Sequence, residues 1–190
     1  MAVILAAGRA TRFGTTKQVA ELQGRPMVGH VVATALASSL VEQVLVVVGH
    51  DAGVVSAAVA GSGPVEVVDN PVHATGQASS VRAGVAAARR RGASAVVVLL
   101  ADEPDVTAQA VDAVVGAVRD GAPASRARYE DGPGHPVAFA ARVFDRLLGL
   151  DGDRGARDLL AELGAVAVPV PGPRPRDLDR PEDLAERDHR

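Results

Sequence analysis

The chain has 190 residues, 47% of them apolar and only 2% aromatic, with a formal net charge of −3 and no cysteine. That length suits a single domain, residues 1–190, with a proper core, and the missing cysteines exclude disulfides, thiolate metal sites and a cysteine nucleophile. A mildly acidic chain with so few rings lacks the basic field and stacking surface of a nucleic-acid binder, and no apolar run approaches the ~18 residues of a membrane span.

Residues 1–5 form a short apolar run that reads as a buried strand, with no secretory leader before it, so a cytoplasmic location is expected. The strand opens into Leu5-Ala6-Ala7-Gly8-Arg9-Ala10-Thr11-Arg12-Phe13-Gly14-Thr15-Thr16-Lys17. Gly8 and Gly14 permit backbone conformations that a side chain would block, so peptide N–H groups can turn toward an anion. Arg12 adds a planar fork of donors and Lys17 a mobile point charge. Neither the G-x-x-x-x-G-K-[ST] loop nor the G-x-G-x-x-G fingerprint is matched. A phosphate cradle and a merely solvated glycine-rich loop are the two readings.

Further along, the spacing of apolar residues predicts a helix over 27–38 after the turn Gly24-Arg25-Pro26, a buried strand over 44–48, and a helix over 52–59 with Asp51 as its N-cap. A strand over 65–68 follows, then a helix over 78–91 ending in three arginines, and the most hydrophobic strand over 95–100. Strands alternating with helices argue for a parallel sheet with right-handed crossovers. The second half predicts a helix over 107–119 capped by Thr107, a strand over 124–129, a turn over 130–134 and a returning strand over 136–139. A helix then runs to Leu163, and a last strand covers 166–170.

Open α/β sheets bind ligands beyond the carboxyl ends of their strands, so the loops there carry the chemistry. Asp102 directly follows a buried strand, where it serves either as a Mg²⁺ ligand or as a helix-capping aspartate. Asn70, with donor and acceptor on one amide, suits a base edge or a ribose. Ser79 and Ser80 stand at a helix N-terminus, there to receive ligand oxygens or simply to cap the helix. His73 reads as ordinary surface. His135 beside Pro136 reads from the residues as a structural turn residue that hydrogen-bonds backbone. Asp179 precedes a helix start at Pro181, which on position alone reads as an acidic helix N-terminus, and Asp177 is expected to fix the loop.

These stretches resemble a known family. The run from Leu5 to Lys17 is similar to the L-A-A-G-x-x-x-R-x-G-x-x-K signature of the MobA-like nucleotidyltransferases, and most of all to the molybdenum cofactor cytidylyltransferases. Asn70 to Gly84, the Asp102-Glu103-Pro104 triplet, Arg128 to Val137, the run Gly152-Asp153-Arg154-Gly155-Ala156-Arg157 and Asp177 to Leu184 resemble its further motifs, so the likeness covers residues 3–184. Two departures are Ala10, where glycine or serine is common, and Glu103, where glutamine is common.

The resemblance implies an α/β fold: a Rossmann-like three-layer domain with a mostly parallel sheet, of the nucleotide-diphospho-sugar transferase type. It implies transfer of CMP from CTP to the phosphate of molybdopterin, with release of pyrophosphate. Lys17, Arg12 and Asp102 would be catalytic. Leu5, Ala6, Ala7, Gly8, Arg12, Gly14, Lys17, Asn70, Ser79 and Ser80 would bind the nucleotide, His135 and Pro136 the acceptor, and Asp102 and Asp179 a Mg²⁺ or Mn²⁺ ion. A molybdoenzyme or its maturation chaperone would be the protein partner. The alternatives are a transferase using GTP or another NTP on a different phosphorylated metabolite, such as a sugar phosphate, and a non-catalytic nucleotide-binding partner of a molybdoenzyme. The absence of any nucleophile–base motif fits the transferase, since an acceptor phosphate oxygen is already anionic and needs no general base.

Overall fold

β-branched runs that are apolar at every position must be covered on both faces, and here they form the middle of a parallel sheet. The computed structural model describes residues 1–8, 16–151, 156–179 and 182–184. Its strands are β1 (Ala2–Leu5), the short ribbon β2 (Glu21–Leu22) and β3 (Arg25–Pro26), β4 (Val44–Val48), β5 (Val65–Asp69), β6 (Ala95–Leu100), β7 (Ala124–Tyr129), β8 (Gly132–Ala140) and β9 (Val166–Pro169). The helices are α1 (Met27–Ala37), α2 (Ala52–Val59), α3 (Gln77–Arg90), α4 (Ala108–Arg119), α5 (Phe144–Leu148) and α6 (Ala156–Glu162).

The main sheet has seven strands in the order β5-β4-β1-β6-β8-β7-β9, and only β8 runs against the rest. Side chains alternate across it. Ile4 and Val46 face a core closed by α1, α2 and α4, while Val3 and Val47 face one closed by α3, α5 and α6. Helix α3 lies so close that a Cβ on Gly84 would stand 2.3 Å from Cγ1 of Val3 and 3.1 Å from Cγ2 of Val47. The three-layer α/β architecture expected of the sequence is the one found. Among the described residues, no helix is long and apolar enough to cross a membrane.

Three local expectations need correction. Asp51 stands at the N-cap position of α2 but in a left-handed conformation, and its side chain caps nothing; Oδ2 instead accepts from the Thr16 hydroxyl at 2.6 Å. Strand β8 begins at Gly132 rather than 136, because Tyr129 pairs with Gly132 and Arg128 with Pro133 across a turn of only two residues. Helix α5 had no counterpart in the sequence reading; one turn that buries only Phe144 and Leu147 is too short to set up a period. Thr107 does cap α4, accepting from the Ala110 amide at 3.2 Å.

Candidate active site

Strands β1 and β6 are neighbours in register, Leu5 beside Leu100, so the residues that follow them emerge together at the carboxyl edge of the sheet. One gives Ala6, Ala7 and Gly8, and the other gives Asp102. Lys17 arrives on a 3₁₀ turn (Lys17–Val19) and is only 8% exposed. The segment carrying Asp179 is anchored by Leu178, whose amide donates to the Asp102 carbonyl at 3.0 Å and whose side chain is buried with Leu22 and Met27. The anchor is thus Leu178, where Asp177 had been expected. Asp183 adds to it by accepting from the Asp179 amide at 2.9 Å.

These elements place one ammonium between two carboxylates. Lys17 Nζ donates to Asp102 Oδ2 at 2.8 Å and to Asp179 Oδ1 at 2.6 Å. Burial alone would push the ammonium down, but Asp102 and then Asp179 outweigh it and hold Lys17 above the ordinary lysine range. The surrounding field remains negative. Burial first, then the charges of Asp102, Glu103 and Asp179, push the Asp177 carboxyl up to about 6.

The triad stands between two cavities. The first, about 370 Å³, is lined by Leu5, Ala7, Gly8, Ser80 and Asp102, with Gln18 and His73 in its wall. The second, about 610 Å³, is lined by Glu103, Arg126, His135, Arg174, Asp177 and Asp179. Asp102 therefore borders one cavity and Asp179 the other.

The remaining expected site residues fall in different places. Ala6 is buried in the core and its amide donates to the Val47 carbonyl, so it backs the first cavity without lining it. Asn70 is 1% exposed; its Nδ2 donates to Ser79 Oγ at 2.9 Å and to Ser80 Oγ at 3.0 Å, and its Oδ1 accepts from the Val72 amide. With both donors and the acceptor engaged, Asn70 staples the end of β5 to the start of α3. The N-cap position of α3 is Gly76, not either serine, and Ser79 donates its hydroxyl to the Gly76 carbonyl at 2.8 Å. Arg12, Gly14 and Pro181 lie outside the described residues, as does 152–155 of the Gly152 motif.

At the second cavity, His135 Nδ1 donates to Glu103 Oε1 at 3.1 Å, and Tyr129 donates its hydroxyl to the His135 carbonyl at 2.7 Å. Burial, followed by the Glu103 charge, pushes Tyr129 up to about 12. Pro136 is buried behind His135. Glu103 is 7% exposed, and its Oε2 has no partner among the described residues.

Sequence reasoning missed Gln18 and misjudged His73. Gln18 is 6% exposed and its Nε2 donates to the Gly8 carbonyl at 2.9 Å. His73, expected on the surface, is half-buried; its Nδ1 donates to the Asn70 carbonyl at 3.2 Å, and its ring packs over Gly49. The glycine at 49 is the one sign that could have pointed to it, since a Cβ there would stand 2.5 Å from Cβ of His73.

The donor set fits a hard divalent cation. Two carboxylate oxygens already converge on the positive charge of the Lys17 ammonium, which stands in for such an ion. Among the described residues no group of three or more His, Cys, Asp or Glu side chains could hold a metal. Mg²⁺ suits such a site, because it is commonly held by one or two carboxylates and completes its shell with waters and phosphate oxygens.

The chain is similar to several known proteins. Purine catabolism protein PucB of Bacillus subtilis is 32% identical over 184 residues, covering 87% of this chain and 83% of that protein. The crystal structure of Rv0371c from Mycobacterium tuberculosis superposes with a TM-score of 0.83 at 31% identity, covering 97% of this chain and 95% of that one. A further structure of Rv0371c, in complex with manganese, superposes with a TM-score of 0.80 at 28% identity over 98% of this chain and 96% of that one. Residues 2–167 match the MobA-like NTP transferase domain. A sheet whose carboxyl edge gathers a cation and two carboxylates between two cavities is thus carried by a chain that belongs to the MobA-like NTP transferase family, and the protein is a nucleotidyltransferase.

Proposed function

We propose that residues 1–190 act as one cytidylyltransferase, moving CMP from CTP to the phosphate of a molybdopterin-type acceptor in the cytoplasm. The observation that carries the two-substrate reading is the position of the Lys17–Asp102–Asp179 triad at the junction of the two cavities. The first cavity takes the nucleotide and the second, with His135 and Glu103 in its wall, takes the acceptor. An acceptor phosphate oxygen attacks the α-phosphorus while the bond to the β-phosphate breaks and pyrophosphate leaves. No general base is required, so catalysis rests on alignment and on neutralising charge.

Asp102 and Asp179 would hold Mg²⁺ or Mn²⁺, and the ion supplies charge neutralisation on the triphosphate. Lys17, which neutralises these two carboxylates, would also offer its ammonium to the phosphate oxygens, so its positive charge would be available to the transition state. Asn70, Ser79 and Ser80 keep the floor of the nucleotide cavity rigid. Ala7, 3% exposed in its wall, narrows the space that a larger purine would need, which favours CTP over GTP. The choice of a molybdopterin acceptor, and of a molybdoenzyme or its chaperone as recipient, is supported by the resemblance of the Leu5-to-Lys17 and Arg128-to-Val137 stretches.

The test is a screen of the four NTPs against molybdopterin and a panel of sugar phosphates, with Mg²⁺ or Mn²⁺, following pyrophosphate release. CTP with molybdopterin should be the most active pair. Faster turnover with GTP, or with a sugar phosphate, would replace the substrate assignment. Nucleotide binding without turnover on any acceptor would favour a non-catalytic role.

A further inference from the structure

Two buried polar atoms in the wall of the first cavity have no partner among the described residues, and both are acceptors. Gln18 uses its Nε2 to donate to the Gly8 carbonyl, which leaves Oε1 with its lone pairs, buried and unmatched. The Asn70 carbonyl can only accept, so His73 Nδ1 carries the proton of the neutral ring and Nε2 presents a lone pair, also buried and unmatched. Gln18 arrives on the turn after the glycine loop and His73 on the turn after β5, so two separate segments bring the same chemistry to one cavity. A buried acceptor left without a donor keeps its desolvation cost without compensation.

We propose that Gln18 and His73 are specificity-determining residues that select a nucleobase bearing an exocyclic amine. An amine offers two N–H donors, one for Gln18 Oε1 and one for His73 Nε2. Uracil presents a carbonyl oxygen at the corresponding position, which would face two lone pairs and leave both acceptors unpaired. Sites that bury hydrogen-bonding groups reject ligands lacking the matching group far more strongly than sites that read shape alone. Gly49 supports this arrangement, because only a residue without a side chain lets the imidazole lie over the end of β4. Neither residue is needed for the transfer step, so the inference concerns which nucleotide is held.

The inference rests on the first cavity being the nucleotide site, and the experiment separates the two. Binding of CTP and UTP to the full chain is measured by calorimetry with Mg²⁺ and no acceptor, for the unmodified protein and for Gln18→Met and His73→Asn. Methionine keeps the length of Gln18 without its oxygen, and asparagine keeps a donor for the Asn70 carbonyl without Nε2. CTP should bind the unmodified protein about 10²-fold more tightly than UTP, and each substitution should lower that ratio about tenfold, mainly by weakening CTP. Thermal melting reports folding, and the two variants are independent, so either one decides the matter. CTP and UTP bound within threefold by the unmodified protein, or an unchanged ratio in a folded variant, overturns the inference alone. Failure of both CTP and UTP to bind overturns the nucleotide-site reading, and the inference with it.

Discussion

Lys17 occupies the position that a metal ion would claim, so replacing it should push two measurements in opposite directions. The substitution is Lys17→Met, which keeps the packing of a side chain whose exposure is 10% and removes only the charge. At an effective dielectric of about 20, unit charges 2.6–2.8 Å apart interact by about 6 kcal/mol per contact before solvent screening. The carboxylates are not dry, however: the Asp102 side chain is 27% exposed and that of Asp179 53%. Screening therefore brings the net effect toward that of a charge-assisted hydrogen bond at Asp102 and a surface pair at Asp179, together about 1–3 kcal/mol. Removing the competing ammonium should tighten Mn²⁺ binding to the nucleotide-free protein by that amount, about 5- to 150-fold. Turnover should meanwhile fall by about 10²-fold or more, because the transition state loses a fixed cation. Mn²⁺ titration by electron paramagnetic resonance gives the first quantity and pyrophosphate release the second. Mn²⁺ binding that is unchanged or weaker in a folded Lys17→Met would refute competition for a shared site, and near-normal turnover would remove Lys17 from the catalytic set.

The two carboxylates should also differ from one another. Asp102→Asn should abolish metal-dependent turnover, since Asp102 leaves a rigid buried strand, whereas Asp179→Asn should raise the Mg²⁺ needed for half-maximal activity and recover part of the rate at high Mg²⁺; equal losses at all concentrations would contradict this ranking. Gly84→Ala should destabilise the fold by about 1–3 kcal/mol in urea titration, because its Cβ would collide with Val3 and Val47, and a change within about 0.5 kcal/mol would show that α3 can move away from the sheet. Asp112 ties the end of α1 to α4: burial works against its carboxylate, but hydrogen bonds from the Ser38 hydroxyl and from Ser39 and Leu40 hold it below the ordinary range. Its contribution is present above the unfolded carboxyl value and is lost as pH falls through the lower folded one, so Asp112→Ala should cost about 1–2 kcal/mol at pH 7 and progressively less below pH ~4. A loss that does not shrink on acidification would mean that the charge is not what holds the joint.

The sequence disclosed those parts of the molecule whose physics is local. The runs 44–48 and 95–100 are apolar at every position, so they had to be central strands, and Thr107 ahead of a periodic stretch had to cap a helix. The carboxyl-edge rule then places Gly8 and Asp102 on the same side of the sheet from the sequence alone. What stayed hidden depends on partners distant in sequence. Asn70 has the donors and acceptor of a base reader, and only the positions of Ser79, Ser80 and the Val72 amide reveal that all of them are engaged. Leu178 is one apolar residue in a polar tail, and its anchoring role depends on the Asp102 carbonyl 76 residues earlier.

Lys17 shows the same division most clearly. Read along the chain, the lysine belongs to a phosphate loop, and Asp102 and Asp179 belong to a metal site, as two unrelated devices. In the fold they form one charge-compensated unit, because β1 and β6 are adjacent and Leu178 draws the tail across them. Two carboxylates brought this close without a cation would repel, in a cleft where burial first, and then the charges of Asp102, Glu103 and Asp179, already push the neighbouring Asp177 up to about 6. The ammonium therefore stabilises the cleft with the same charge that the proposed transfer reaction would require. A lysine tethered to the loop can release the carboxylates without leaving the site, and so the resting ion pair and the catalytic cation can be one residue.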